Sequence, residues 1–180
     1  MNNTVINTVI KFTKIRDVKS PARGTGEAAG IDLFVPNYNE QFLADFKVKN
    51  PLINYTVADD KSGMHFELRP GQRVLIPAGI KTWMDYGTAL IAANKSGVAS
   101  KKGLVFGAQV VDSDYAGEVH INVINTGDTS VRIETGEKLI QFLHMPILMS
   151  PVVEVSAEEY DLLHTNSERG AGGFGSTGTK

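Results

Sequence analysis

From Phe66 onward the chain breaks into short apolar runs punctuated by glycine and proline, and this rhythm limits the possible fold more than any other feature. Phe66-Glu67-Leu68-Arg69, residues 73–80, Thr88-Ala89-Leu90-Ile91-Ala92, Val119-His120-Ile121-Asn122-Val123, Val131-Arg132-Ile133 and residues 139–147 follow one another, with turns at Pro70-Gly71, Asp85-Tyr86-Gly87, Asn125-Thr126-Gly127-Asp128 and Glu134-Thr135-Gly136-Glu137-Lys138. Runs this short, closely spaced and without a helical period predict an all-β protein, a sandwich or barrel. Residues 4–15, rich in β-branched side chains, read as a first strand, and Val152-Val153-Glu154-Val155 as a late one. One short helix is expected at residues 156–163, where Ser156 precedes Glu159 by three positions in a capping box.

The 180 residues suit one domain with a sizeable core. We expect a β domain over residues 1–166, interrupted at about 37–63 by an irregular insertion that reads as a hairpin or lid, and a flexible glycine-rich arm over 167–180. A net charge of -2 argues against a general nucleic-acid binder, so any polyanion must be met by a local site. The absence of cysteine excludes disulfides, thiolate metal sites and cysteine nucleophiles. No apolar run approaches membrane-spanning length, and Met1-Asn2-Asn3-Thr4-Val5 lacks a basic segment leading into an apolar one. The expected location is therefore the cytoplasm, or the host cytoplasm if the source is viral.

Chemistry-bearing residues gather in a few places. Val111-Asp112-Ser113-Asp114-Tyr115-Ala116-Gly117-Glu118 sets three carboxylates and a tyrosine on a turn feeding a strand, a rigid mount for a base. Solvated turn acids are the plainer reading of the same residues. Asp32 stands inside the apolar run Ile31-Asp32-Leu33-Phe34-Val35, where an acid needs a partner, a cation or an edge position. Asn94-Lys95-Ser96-Gly97 offers a cation, a hydroxyl and an approachable backbone to an oxyanion, although an ordinary turn would look the same. Gln141 is the polar exception in an apolar strand. The tail, Arg169-Gly170-Ala171-Gly172-Gly173-Phe174-Gly175-Ser176-Thr177-Gly178, fails the standard phosphate-loop pattern but carries an aromatic for base stacking and donors for phosphates. The histidines, His65, His120, His144 and His164, show no metal-ligand spacing.

In order, small-Gly-x-Asp-Leu, Lys-Ser-Gly, Val-Asp-Ser-Asp-Tyr-x-Gly, Gly-Glu-Lys-Leu-Ile-Gln and Arg-Gly-x-Gly-Gly-Phe-Gly-Ser-Thr-Gly resemble the five motifs of the trimeric dUTP pyrophosphatases, the dUTPases. The resemblance runs from about residue 28 to the C-terminus and leaves residues 37–63 outside it. It implies a jelly-roll-like β fold, a homotrimer with shared active sites, and magnesium-dependent hydrolysis of dUTP to dUMP and pyrophosphate, which limits uracil in DNA and supplies dUMP for thymidylate synthesis. By the same resemblance, Asp112 is the base that activates water, and Tyr115 lies under the deoxyribose and excludes a 2′-hydroxyl. Backbone in a hairpin comprising Gly107, Ala108, Gln109 and Val110 reads uracil. Lys95, Ser96, Gly97 and Gln141 meet phosphates, and Asp32 orders waters around Mg2+. Arg169, Phe174, Gly175, Ser176 and Thr177 close the site from the tail, whereas Asp114 and Glu118 are expected to be turn and surface residues.

The chain departs from the family pattern at three positions. Lys95 replaces the usual arginine and exchanges a bidentate fork for a point charge. Ile31 stands where an aromatic is frequent, and Gln109 where a small residue is common, which bears on base specificity. The related dCTP deaminases need a glutamate ten residues after Asp112, and this chain has Asn122 there. A non-catalytic nucleotide sensor using the same pocket is the other alternative.

Overall fold

The computed structural model describes residues 8–51, 57–60 and 63–172. In chain order the elements are β1 (Lys11–Lys14), β2 (Ala22–Arg23), β3 (Gly30–Asp32), α1 (Glu40–Lys49), β4 (Val57–Asp60), β5 (Gly63–Leu68), β6 (Arg73–Pro77), β7 (Ile80–Trp83), β8 (Thr88–Asn94), α2 (Ser96–Lys102), β9 (Leu104–Phe106), β10 (Val110–Asp112), β11 (His120–Asn125), β12 (Val131–Glu134), β13 (Ile140–Pro146) and α3 (Ala157–Leu163). Every strand pairing among the described residues is antiparallel. One sheet has the order β10-β8-β13-β3-β2, two three-stranded sheets have the orders β6-β11-β9 and β12-β5-β4, and β1 pairs with β7.

The predicted β rhythm is what the core uses. β11 alternates so that Ile121, Val123 and Asn125 are buried, and β12 buries Val131 and Ile133 in the same period. Ile121, Val123, Val131 and Ile133 join Leu68, Val74, Ile76, Leu104, Ile140 and Phe142 in one apolar cluster.

The expected single helix is α3, where Ser156 caps the Glu159 N–H at 3.2 Å. Among the described residues, two more helices stand where the sequence suggested a lid and a turn. Residues 37–63 hold α1, β4 and the start of β5. Asn39 caps α1 at the Phe42 N–H (2.8 Å), and Phe42 and Phe46, four residues apart on one helix face, are each 1% exposed. Phe42 stacks on Tyr38 and Phe46, and Phe66 lies tilted against Tyr38 and Phe46, at ring separations of 4.9–5.9 Å. Asn50, buried just past α1, ties the helix to β6, donating to the Leu75 carbonyl (2.9 Å) and accepting from the Leu75 N–H (2.8 Å). The supposed turn at residues 94–97 instead opens α2, whose last turn holds Lys101 and Lys102 before Gly103 closes it at φ 64°.

Two further expectations change. β9 and β10 do not form a hairpin: β9 pairs with β11 and β10 with β8, so residues 107–109 cross between sheets. The run 152–155 forms no strand; Val152 and Val153 are exposed, and β-propensity without a neighbouring strand is insufficient. Within the first strand, β1 accounts for residues 11–14, while residues 4–7 lie outside the described residues. The chain divides into two compact units, Met1–Leu148 and Met149–Lys180, and α3 belongs to the second.

Candidate active site

The acidic turn emerges from β10, whose Asp112 pairs in register with Ala89 of β8 and is exposed. The Tyr115 N–H donates to the Asp112 carbonyl (3.2 Å), and the Tyr115 hydroxyl donates to the Glu118 carbonyl (3.0 Å), which folds the ring back over the turn. Gly117 makes that possible, because a Cβ there would lie 2.4 Å from the ring's Cζ and Oη. Gln109, Val110, Asp112, Tyr115 and His120 line a cavity of about 210 Å³ beside this turn. The side chain of His120 is partly buried; burial pushes its pKa below the usual histidine value, and its Nε2 has no hydrogen-bond partner among the described residues.

Glu118 is not the surface acid expected. Its side chain is 13% exposed, and Arg16 grips both its oxygens (2.7 and 2.8 Å) while the Gly79 N–H donates to Oε1 at 2.8 Å. Asn122 holds the crossover between sheets, accepting from the Ala108 N–H at 2.8 Å and donating to the Val74 carbonyl at 3.1 Å. The Gln109 carbonyl then accepts from the Ala92 N–H (2.7 Å), which delivers the chain into β10.

A second cluster gathers Asp32, Lys95 and Gln141. Asp32 on β3 is 3% exposed and opposite Gln141 in register; its two oxygens accept from Lys95 and, at 2.8 Å, from Lys138. Burial acts to raise the Asp32 pKa, but the hydrogen bonds from Lys138 and Lys95 outweigh it and hold the carboxyl below its usual value. Asp32 thereby anchors two cations, Lys95 and Lys138. Ser96 and Gly97 open α2 immediately beyond Lys95 and are exposed. Gln141 donates to the Asn94 carbonyl at 2.9 Å, and its side chain fills the space a Cβ on Gly30 would need (Oε1 at 2.0 Å). The small residue of the first motif thus makes room for the glutamine of the fourth.

These two clusters lie on one sheet but apart. Asp112 is level with Ala89, and Asp32 is level with Ala93 through Gln141. Three strand spacings across and four residues along place their Cα atoms about 20 Å from each other. A more voluminous, open depression, about 590 Å³, lies between the end of α2 and the turn after β11, rimmed by the pairs Lys102–Glu137 and Arg132–Glu134. None of the residues expected to serve catalysis or binding lines it. In the second unit, Arg169 is exposed and donates to the Gly172 carbonyl at 2.7 Å. Phe174, Gly175, Ser176 and Thr177 lie outside the described residues.

Arg16, Lys138 and the buried part played by Glu118 are not legible in the sequence alone. Each depends on a partner about a hundred positions away, and no local pattern marks it.

The family model described as dUTPase matches residues 57–178, about two thirds of the chain. The chain belongs to the dUTPase family. It is 42% identical over 116 residues to a deoxyuridine 5'-triphosphate nucleotidohydrolase of Hahella chejuensis, spanning 63% of this chain and 72% of that one. An Acinetobacter baumannii protein of the same name is 39% identical over 115 residues, spanning 62% and 73%. Among solved structures, a Staphylococcus bacteriophage 80alpha dUTPase with dUPNHPP shares the fold with a TM-score of 0.70 over 94% of this chain and 98% of that one, at 22% identity. The family match starts after Asp32 and α1, so the dUTPase assignment of the chain does not depend on either.

Proposed function

We infer that this dUTPase-family chain hydrolyses dUTP to dUMP and pyrophosphate, keeping uracil out of DNA and supplying dUMP for thymidylate synthesis. The observation that carries the reading is the turn of Asp112 and Tyr115 on the rim of a cavity flanked by the crossover residues, within the family match. Asp112 acts as general base on a water, needing only hydrogen-bond reach and an ionised carboxylate. Tyr115, held over Gly117, presents a ring to the deoxyribose. Backbone of residues 107–110, pinned through Asn122 and Ala92, reads the base edge. Lys95, Ser96, Gly97 and Gln141 receive the phosphates, with Lys138 beside them, and Arg169, Phe174, Gly175, Ser176 and Thr177 close the site from the arm.

The site is shared among subunits of a homotrimer. Attack requires reacting atoms about 3–3.5 Å apart, and in one chain the Cα atoms of Asp112 and of Asp32, which anchors the phosphate cluster through Lys95, are about 20 Å apart, so the phosphate cluster facing Asp112 comes from a second copy. Exposed apolar residues outside the core, among them Leu148, Val152, Val153, Leu162 and Leu163, are available to such copies.

Magnesium enters with the nucleotide. It takes oxygen ligands and keeps several waters, which a triphosphate can supply. Among the described residues no three histidine, aspartate or glutamate side chains gather to hold an ion, and Lys95 and Lys138 occupy both oxygens of Asp32. A phage phi11 dUTPase that shares the fold coordinates a structural Mg(II) ion. When bound, the ion neutralises triphosphate charge.

Asn122 speaks against deamination, since both ends of its side chain are engaged with backbone and it offers no carboxylate. The test is Asp112→Asn. Pyrophosphate release from dUTP should vanish while dUTP binding by calorimetry persists; undiminished release would remove Asp112 from the mechanism, and ammonia from dCTP would overturn the reading.

A further inference from the structure

The helix α1 has no part in the reading above, yet it is wired to the catalytic turn. The Arg16 side chain, only 11% exposed, is the wire: its Nε and Nη2 reach the two oxygens of Glu118 (2.7 and 2.8 Å), and Nη2 also reaches Asp45 of α1 at 2.6 Å. Bidentate, part-buried guanidinium–carboxylate pairing fixes direction as well as distance. Glu118 is held from its other flank by the Gly79 N–H, and the next residue is locked on both sides, with the Val119 carbonyl accepting from Ala78 and its N–H donating to the Ile80 carbonyl (both 2.9 Å). The backbone carbonyl of Glu118 is the acceptor for the Tyr115 hydroxyl. Between α1 and the turn lies an open space of about 320 Å³ that includes Arg16, Asp45, Lys49, Tyr115 and Glu118 in its lining, so across this gap the mechanical link is polar and runs through Arg16.

We propose that Arg16 is a positioning residue that sets the sugar discrimination of the site, clamping Glu118 so that Tyr115 stays under the deoxyribose, and that Asp45 ties this clamp to α1. An ion pair retained in a half-buried position is weak evidence for a stabilising role, because apolar replacements are often neutral; its value here lies in direction. The inference rests on the reading of Tyr115 as the residue that meets the sugar.

The test compares wild type with Arg16→Met, which keeps the aliphatic stem, Arg16→Lys, which keeps the charge but not the fork, and Asp45→Asn, a half-exposed change that leaves the core untouched. Three quantities are read: amide exchange of residues 112–119 by mass spectrometry, kcat/KM for dUTP and for UTP, and Tm. Arg16→Met should raise exchange in the turn about tenfold and lower the dUTP-over-UTP ratio about five- to tenfold. Arg16→Lys should fall between it and wild type, and Asp45→Asn should move both readouts about two- to threefold in the same direction, since a pair this exposed is worth less. Unchanged exchange and an unchanged ratio, with or without a lower Tm, overturn the proposal and leave a merely structural pair. Should Arg16→Met not fold, Asp45→Asn decides by the same readouts. A wild-type chain that does not turn over dUTP overturns the dUTPase reading and the discrimination step with it, whereas the exchange measurement, which needs no turnover, judges the clamp separately.

Discussion

Replacing Gly117 with alanine separates the folding and catalytic roles of the turn. The added Cβ would stand 2.4 Å from Cζ and Oη of Tyr115, where ordinary contact begins at 3.4 Å, so the ring must retreat by about 1 Å. Tyr115 is 43% exposed and can move without disturbing the core. The hydroxyl's 3.0 Å bond to the Glu118 carbonyl is lost, at a cost of about 1 kcal/mol or less, since solvent reaches both groups. For a chain of this size that lowers Tm by about 2–4 °C. Catalysis is far more sensitive, because a misplacement of about 1 Å can cost about 100-fold, equivalent to about 2.7 kcal/mol of transition-state stabilisation. The expected outcome is therefore a nearly native melting curve with kcat/KM for dUTP down by one to two orders of magnitude and a weakened preference over UTP. Steady-state kinetics with both nucleotides, beside calorimetry, measures it. Wild-type kcat/KM with intact preference would refute the reasoning, as would a fall in Tm large enough to explain the lost activity.

Asn50→Ala should strip Leu75 of two hydrogen bonds and destabilise the protein by about 1–3 kcal/mol, read as a lower urea midpoint. Burial holds His120 and His144 below the ordinary histidine value of 6.5, so the unfolded chain binds more protons there; stability is full above pH 6.5 and declines as pH falls toward the folded values. His120→Gln should flatten that decline in Tm between pH 7 and pH 5. Asp32 behaves as a depressed acid: its contribution is present above the unfolded value of 3.8 and is lost as pH falls through its lower folded pKa, so Asp32→Asn should weaken the dependence of Tm on pH below 3.8. Deleting residues 168–180 should reduce kcat by about 100-fold or more with Tm of the β domain preserved, as expected of a closing segment; normal turnover by the truncated chain would show that the arm takes no part.

The all-β character, the turn that carries Asp112 and Tyr115, the cap of α3 and the family membership were all legible in the sequence, because each is written in neighbouring residues: alternation for strands, glycine and aspartate for turns, a serine three positions before a glutamate. Helix α1 was legible in principle, through Asn39 as a cap and the four-residue spacing of Phe42 and Phe46, but the charges around it masked a short apolar stripe. Only the tertiary structure decided the rest. Arg16 meets Glu118 across 102 positions and Lys138 meets Asp32 across 106, and antiparallel registers among β10, β8, β13 and β3 set the spacing that divides the site between subunits in the proposed trimer. Local sequence determines which residue types stand ready and in what conformation. Which of them face one another follows from how the sheets stack to bury Ile76, Ile121, Ile133 and Phe142, and that is a property of the whole chain.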